Sequence, residues 1–131
     1  MTEHLTLDDL LAAAEAALGH PPQVLDYGLL EAAIARPQAN VYGDDAYPDL
    51  DAKASALLHS IVSNHALVDG NKRLGWVATR LFYALNGADL RAPADDAFAL
   101  VIAVANGSVR DVAVIAASLG AWVVPWDAAA K

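Results

Sequence analysis

The chain contains no cysteine, which excludes disulfides, thiolate metal sites and cysteine nucleophiles. It has only 8 basic residues against 16 acidic ones, so a basic nucleic-acid-binding face is not expected. The longest apolar runs, such as residues 97–105, are too short to span a bilayer, and no basic segment followed by an apolar core opens the chain. We therefore expect a cytoplasmic protein that binds neither nucleic acid nor a membrane directly.

Aromatic residues are also few, at 7%, whereas 56% of the 131 residues are hydrophobic and many of these are alanine. Such a composition is typical of a compact helical protein and not of a disordered one. No repeat, linker or low-complexity tract divides the chain. We predict a single all-α domain over residues 1–131.

Apolar residues recur at helical spacing in six stretches, which are separated by glycine, proline and asparagine. Asp49 or Asp51 is expected to cap the third helix. Ser108 is expected to cap the sixth and Gly120 to end it, with residues 122–126 following as an extended apolar tail. The predicted helices are 7–18, 25–36, 50–64, 71–85, 93–105 and 109–119.

Between residues 36 and 48 the helical pattern breaks. The stretch Arg-Pro-Gln-Ala-Asn-Val-Tyr-Gly-Asp-Asp-Ala-Tyr-Pro is rich in turn-forming residues, and residues 39–42 are its extended piece. Loops of this length in compact helical domains often serve as lids or binding elements. We predict a surface loop or a small hairpin.

Residues 65–73 gather an imidazole, a carboxylate, a turn and two cations directly before the fourth helix, as His-Ala-Leu-Val-Asp-Gly-Asn-Lys-Arg. Gly70 permits a left-handed backbone, so successive N–H groups near Asn71 can point into one concavity that holds phosphate. The alternative is an ordinary turn between helices with an Asp-Gly-Asn cap. Leu67 and Val68 are expected to be buried and to anchor the turn.

Lys72 and Arg73 fall in the first turn of the fourth helix, where the helix dipole disfavours cations. Two together indicate an anionic partner, because Arg73 can fork onto two phosphate oxygens and Lys72 offers a compact charge. The alternative is a pair of solvated surface cations. Asp69 would repel such an anion unless Mg²⁺ bridges the carboxylate and the phosphates. The alternative role of Asp69 is a helix cap.

His65 is the general-base candidate near this turn, since a hydroxyl nucleophile must lose a proton and imidazole changes charge near neutral pH. A histidine at a helix end is also often structural. We assign His59 to that structural class and expect His4 and His20 to be surface or terminal residues.

Competing chemistries lack their motifs in this chain. There is no Gly-x-Ser-x-Gly elbow, and Ser55, Ser60 and Ser63 lie inside a helical pattern. The chain also has no phosphate-binding P-loop, no signature set of ordinary protein kinases and no two-histidine zinc helix. We predict a phosphate-handling site at residues 65–73, and an ordinary turn between helices stays the alternative.

Residues 65–73 resemble the signature of the Fic/Doc family, His-x-Phe-x-Asp/Glu-Gly-Asn-Gly/Lys-Arg. The similarity covers roughly residues 29–119 and is closest to the Doc branch, the small toxins of toxin–antitoxin pairs. The flanking segments that agree are 29–31, 36–38, 47–50, 57–60 and 85–87.

The resemblance implies a Fic fold, which is a compact bundle of about six helices with a short β-hairpin flap over the active site. In that family the flap clamps a target segment by strand-like pairing. Residues 36–42 would be the flap. The residues expected to contact the target are Arg36, Pro37, Gln38, Ala39 and Asn40.

The resemblance also implies the roles of the motif residues. His65 would deprotonate the target hydroxyl, and Asp69 would hold Mg²⁺. Gly70, Asn71 and Arg73 would bind the phosphates of ATP.

Position 72 bears on the type of reaction. Typical Fic enzymes have glycine there, which lets the α-phosphate sit beside the base so that AMP is transferred. Lys72, as in Doc proteins, implies an inverted nucleotide with the γ-phosphate at the base, and hence a protein kinase. Trp76 stands where Fic enzymes carry a second arginine, Leu67 replaces the motif phenylalanine, and Leu74-Gly75 replaces the Thr-Ala of many Doc relatives.

In the Doc branch the target is elongation factor Tu, which is phosphorylated on a threonine so that translation stalls. The resemblance therefore implies this protein substrate, modified on a Thr or Ser hydroxyl, and a Phd-type antitoxin whose tail blocks the site. Two alternatives remain: a Fic-type AMP transferase that uses the same site, and a catalytically silent antitoxin-binding module.

Overall fold

The computed structural model of the protein describes residues 1–126. These residues form the predicted helical fold with a short hairpin; residues 127–131 of the predicted single domain lie outside the described part. None of the helices within residues 1–126 combines the length and apolarity needed to cross a bilayer. The helices are α1 (Leu7–Leu18), α2 (Tyr27–Ala35), α3 (Leu50–Asn64), α4 (Asn71–Leu85), α5 (Ala94–Ala105) and α6 (Val112–Trp122).

Most helix boundaries lie where the sequence predicts them, and at α1 and α3 a side chain caps the first turn. Thr6 and Asp9 form a reciprocal capping box at α1, and Gly19 ends that helix with a φ of 80°. Asp49 caps α3 by accepting a hydrogen bond from the backbone N–H of Ala52 at 2.8 Å. Of the two predicted candidates, Asp49 is therefore the cap.

The second helix begins later than predicted. Asp26 accepts a hydrogen bond from the backbone N–H of Leu29 at 3.2 Å and so caps a helix that starts at Tyr27. Leu25 precedes the cap and is exposed, although its spacing placed it on the helix.

The sixth helix is displaced in the same direction. Asp111, and not Ser108, is its cap, accepting from the N–H of Ala113 at 2.9 Å. Gly120 does not end the helix but lies within it. A Cβ at Gly120 would come 2.7 Å from Oδ2 of Asp51, so this glycine permits close packing against α3.

Two small antiparallel sheets accompany the helices. Strands β1 (Asn40–Val41) and β2 (Asp44–Asp45) form the hairpin predicted between α2 and α3. Strands β3 (Ala88–Leu90) and β4 (Val123–Pro125) form a second pair that the sequence analysis missed. The predicted extended tail is therefore partly a strand, which follows directly on α6 and pairs with the residues after α4.

Helix α3 lies at the centre and packs against α2, α4, α5 and α6. Gly75 lets α4 approach it closely, because a Cβ there would meet Cγ2 of Val62 at 2.5 Å. The largest fully buried side chains come from every helix and from the loop before α4: Leu10, Leu30, Leu57, Leu58, Val62, Leu67, Leu74, Phe82, Tyr83, Val104, Ile115 and Leu119.

A hydrogen bond inside this core joins α3 to α4. The fully buried Tyr83 donates its hydroxyl to Oδ1 of Asp51 at 2.7 Å, and burial followed by this bond raises the pKa of the Tyr83 hydroxyl. Because the bond is made to a carboxylate, Tyr83→Phe is expected to lower the free energy of unfolding by about 1.5–3 kcal/mol. Urea denaturation measures it, with Tyr42→Phe at the exposed hairpin tip as the control. A loss no larger than that of the control would contradict a stabilising role for the bond.

Candidate active site

The loop before α4 carries most of the predicted site, and backbone hydrogen bonds hold it in place. The carbonyl of Ala66 accepts from the N–H groups of Leu25 and Asp26, at 2.7 and 3.2 Å. The N–H of Val68 donates to the carbonyl of Gln23 at 2.9 Å. This support from residues 23–26 was not predicted, since no side-chain pattern marks it.

Gly70 satisfies two requirements at the end of the loop. Its φ of 88° is left-handed, and a Cβ would lie 2.3 Å from Cδ2 of Leu18 on α1. Gly70 is also the residue that precedes α4, and within residues 1–126 no side chain caps this helix. Its first N–H groups are therefore left for an external acceptor, as the sequence predicted for a phosphate site.

Asn71 holds the loop instead of reaching outward. Its Oδ1 accepts from the N–H of Leu67 at 3.0 Å, while its Nδ2 donates to the carbonyl of the same residue at 3.0 Å. The predicted stiffening of the turn by this amide is confirmed. This pair uses the amide oxygen and one of the two Nδ2 hydrogens, and the backbone N–H of Asn71 is left for an anion.

This reciprocal pair makes a testable prediction. Asn71→Asp keeps the bond from the Leu67 N–H but places a second oxygen against the Leu67 carbonyl, so we expect the free energy of unfolding to fall by about 1–3 kcal/mol. Chemical denaturation measures the change. Asn106→Asp is the control, because the Asn106 side chain accepts from Ser108 N–H through its oxygen and this bond survives the change. Equal losses in the two variants would argue against the loop lock.

The two cations in the first turn of α4 are available to a ligand. Lys72 and Arg73 are exposed. Arg73 and Asp69 form an ion pair at 4.0 Å, but their side chains are 60% and 87% exposed, so the pair holds neither of them firmly. Arg80, two turns further on, is also exposed.

Asp69 has the donor chemistry expected of a magnesium ligand. Mg²⁺ favours one or two carboxylates together with phosphate oxygens and water. A single exposed carboxylate beside an uncapped helix N-terminus fits that preference. Residues 1–126 contain no cluster of three or more acidic or histidine side chains that would form an all-protein metal site.

His65 ends α3 in a left-handed conformation, with a φ of 51°. Such a backbone is uncommon for a residue with a side chain, and it is often found at functional sites. The imidazole is exposed and receives no hydrogen bond from the described part of the chain. Along the chain, His65 comes directly before Ala66 and Leu67, which are both buried, and the N-terminus of α4 follows them.

An open cleft of about 1090 Å³ runs from the motif along α4 to α5. Residues 69–73 line it together with apolar side chains of α5, among them Phe98, which is 70% exposed. His65 is not among the described residues that line it, so the cleft joins the predicted phosphate-binding residues but not the predicted base. Further lining side chains are Trp76, Val77, Arg80, Leu90, Arg91, Val101 and Ile102.

The flap lies later in the chain than predicted. Residues 36–38 form a 3-10 turn, and the hairpin strands follow at 40–45. Pro37 is buried, and Arg36 donates from Nε to the hydroxyl of Tyr47 at 2.9 Å. These two predicted target contacts thus face the protein, because Pro37 is buried and Arg36 is hydrogen-bonded to Tyr47. The remaining ones are exposed: Gln38, Ala39 and Asn40.

Other side-chain predictions are corrected. Val68 is 55% exposed, so of the two expected anchors only Leu67 is buried, at 1%. His4, expected to be a surface or terminal residue, lies before α1 near the N-terminus and is partly buried, because it packs against the ring of Phe82 with centroids 5.8 Å apart. Burial, followed by the charge of Lys53, lowers the pKa of His4.

Comparison with known proteins places this site in a family. Residues 4–83 match the Fic/DOC family, and that region includes all of the motif at 65–73. The chain is also similar to Toxin Doc of Mycolicibacterium smegmatis (strain ATCC 700084 / mc(2)155), with 57% identity over 95 residues, which cover 72% of this chain and 73% of that relative. The chain belongs to the Fic/DOC family.

Proposed function

We propose that this chain is a Doc-like toxin of a toxin–antitoxin pair, and that it acts as a protein kinase. Membership of the Fic/DOC family supports a transferase-type enzyme, and the similarity to Toxin Doc supports a toxin. The observation that carries the proposal is the N-terminus of α4: it has no side-chain cap within residues 1–126, begins at a left-handed glycine and bears two exposed cations in its first turn.

The phosphates of ATP bind at this helix N-terminus. The first N–H groups of α4 donate to the phosphate oxygens, and the positive end of the helix dipole favours their charge. Arg73 adds a forked contact, and Lys72 adds a compact charge. Asn71 keeps the loop rigid through Leu67, so the donors are already in position before the nucleotide arrives.

Asp69 is the residue that would hold Mg²⁺ together with the phosphates. The ion would neutralise phosphate charge, which otherwise repels the Asp69 carboxylate and an incoming hydroxyl oxygen.

His65 is the general base. It takes the proton of a Thr or Ser hydroxyl as that oxygen attacks the γ-phosphorus of ATP. A bond forms between the hydroxyl oxygen and phosphorus, the bond from phosphorus to the bridging oxygen breaks, and ADP leaves. The imidazole afterwards releases the proton to solvent, to which it is exposed.

Lys72 decides which phosphate reaches the base. Its side chain occupies the space that glycine leaves open in AMP-transferring relatives, and its charge attracts the end of the triphosphate. The γ-phosphate therefore lies nearest His65, and the product is a phosphorylated protein. By resemblance the substrate is elongation factor Tu, whose modification arrests translation.

The antitoxin binds in the cleft between α4 and α5. The exposed Phe98 and the cations Lys72 and Arg73 all line this cleft. A Phd-type antitoxin segment with apolar and acidic side chains complements the apolar and the cationic lining. Bound there, it covers residues 69–73 and excludes the nucleotide phosphates.

A decisive experiment incubates antitoxin-free protein with γ-labelled ATP, Mg²⁺ and purified elongation factor Tu. We expect label on the elongation factor with the parent chain, and none with His65→Ala or Asp69→Ala. Mass spectrometry of the product distinguishes phosphate from AMP. An intact, folded sample that transfers no label would overturn the kinase assignment, and an added mass of AMP would replace it with the Fic-type alternative.

One observation favours a second candidate, a catalytically silent module that binds an antitoxin. The cleft is large, but His65 does not line it in the described residues. If a His65→Ala variant is as toxic in cells as the parent, this candidate is correct and the kinase is not.

A further inference from the structure

The hairpin of the flap has little packing of its own. Residues 39–46 are all exposed, and each strand has only two residues. The tip takes positive φ angles, 53° at Tyr42 and 86° at Gly43. A two-stranded hairpin is marginally stable in water, so contacts at its ends must set its position.

Arg36, which precedes the hairpin, joins both of its ends to α3. Its Nε donates to the hydroxyl of Tyr47, which follows the hairpin, and its guanidinium carbon lies 5.5 Å from the centre of the Tyr47 ring. Its Nη1 contacts α3 at two side chains, Nδ1 of His59 at 2.8 Å and Oγ of Ser60 at 3.0 Å. One side chain thus connects the two ends of the hairpin with each other and with the central helix.

The contact with His59 defines the protonation state of that ring. A guanidinium has only donors, so Nδ1 of His59 must accept, and the ring proton is on Nε2. Protonation of Nδ1 would set an N–H against an N–H and place a second positive charge beside Arg36. Burial, followed by the charge of Arg36, lowers the pKa of His59 below its ordinary value of 6.5.

The titratable side chains of Lys53 and Tyr47, near Arg36 and His59, have hydrogen-bond partners of their own. Lys53, also on α3, is buried and donates to Oδ2 of Asp45 at 3.2 Å and to the backbone carbonyl of Tyr47. Tyr47 accepts from Arg36 through its hydroxyl. The charge that lowers the pKa of His59, after burial, is that of the Arg36 guanidinium.

We propose that Arg36, Tyr47 and His59 form a clasp that positions the flap, and that neutral His59 keeps the clasp closed. His59 is a positioning residue, since it acts on the hairpin through Arg36. The consequence for catalysis rests on the proposed function: a positioned flap presents its edge to the protein substrate and lowers the KM for that substrate.

The clasp depends on pH in a defined direction. The pKa of His59 is 6.5 in the unfolded or unclasped state and lower in the closed state. At pH values between these two pKa values, the unfolded or unclasped state therefore binds more protons than the closed state. The contribution of the clasp is therefore fully present above 6.5 and is lost as the pH falls through the folded pKa. Acid opens the flap.

The test uses two substitutions of similar size at His59. His59→Asn keeps an acceptor near the position of Nδ1 but cannot titrate, whereas His59→Leu removes the acceptor. Hydrogen exchange of residues 36–48 is measured by mass spectrometry in the full chain at about pH 7.5 and about pH 5.5, with rates corrected for intrinsic exchange. The N–H of Ala46, which donates to the carbonyl of Ala39 at 2.9 Å, reports on the hairpin.

We expect flap amides in His59→Leu to exchange about tenfold faster than in the parent at the higher pH. The parent is expected to approach that rate at the lower pH, while His59→Asn stays slow at both. If His59→Leu exchanges like the parent, or if His59→Asn is as fast as His59→Leu, the clasp is overturned.

A kinetic measurement tests the consequence. In His59→Leu the KM for the protein substrate should rise about tenfold at the higher pH, with kcat and the KM for ATP retained, and His59→Asn should match the parent. A fall in kcat with an unchanged KM overturns the positioning role. If the parent itself transfers no phosphate, the proposed function fails, and the exchange rates still decide the clasp.

Discussion

Replacing His65 with alanine is expected to reduce phosphate transfer by about 10²–10⁴-fold, the usual contribution of a positioned general base. The fold should be unaffected, because the imidazole is exposed and makes no hydrogen bond within the described residues. Labelled phosphate transfer measures the first effect and thermal denaturation the second. His20→Ala is the matched control, since His20 is also exposed but lies in the loop after α1.

His65→Gly sharpens this prediction. The φ of 51° at this position is unfavourable for any residue with a Cβ, by about 1 kcal/mol, and glycine removes that strain. We therefore expect the glycine variant to be more stable than the parent by about 1 kcal/mol and to be as inactive as the alanine variant. Retained activity in a correctly folded His65→Gly sample would show that another group is the base.

Lys72→Gly is expected to change the reaction itself. If the protein is the proposed kinase, removing the lysine deletes a charged contact with the triphosphate and lowers γ-phosphate transfer about 10–100-fold. It also opens the space in which AMP-transferring relatives place the α-phosphate, so AMP should become a detectable product on the same protein. Mass spectrometry of the target protein measures both products. Because Lys72 is exposed, its loss should leave the stability unchanged apart from the usual effect of glycine in a helix.

Lys72→Met separates bulk from charge. Methionine has nearly the length of lysine but carries no charge, so it should weaken phosphate transfer without producing AMP transfer. If both variants keep the parent's product and rate, position 72 does not orient the nucleotide. If the methionine variant also transfers AMP, charge and not bulk selects the phosphate.

Several elements of the fold could be predicted from the sequence because their signals are local. The capping box of Thr6 with Asp9, the cap at Asp49 and the glycine stop at Gly19 each act within one helical turn. The starts of α2 and α6, which were predicted too early, have local signals as well, the caps at Asp26 and Asp111. The apolar spacing before Tyr27 and the alternative cap Ser108 pointed to earlier starts. Where two local signals conflict, packing decides between them.

The second strand pair had no local signal of comparable strength. Residues 88–90 and 123–125 are far apart in the chain, and each is only three residues long. Gly120 was misjudged for a related reason, since its role is to admit Asp51 from another helix. Contacts between distant segments are not encoded in the spacing of either segment.

The candidate site divides in the same way. The residue types at 65–73, and the turn that presents them, follow from the chemistry of the motif, and the lock by Asn71 was expected. The attachment of the loop to residues 23–26, the exposure of Val68 and the internal contacts of Arg36 were not expected. The clasp at His59 was likewise hidden, because it joins side chains 23 positions apart.

By itself, the sequence determined which groups are present at the bend before α4 and that the bend must contain a glycine, since backbone angles and first-turn chemistry are short-range properties. Only the tertiary structure decided what surrounds that bend: the strand-like support beneath it, the cleft beside α5 and the anchoring of the hairpin on α3. These depend on which distant surfaces are buried together, and burial is a property of the whole folded chain.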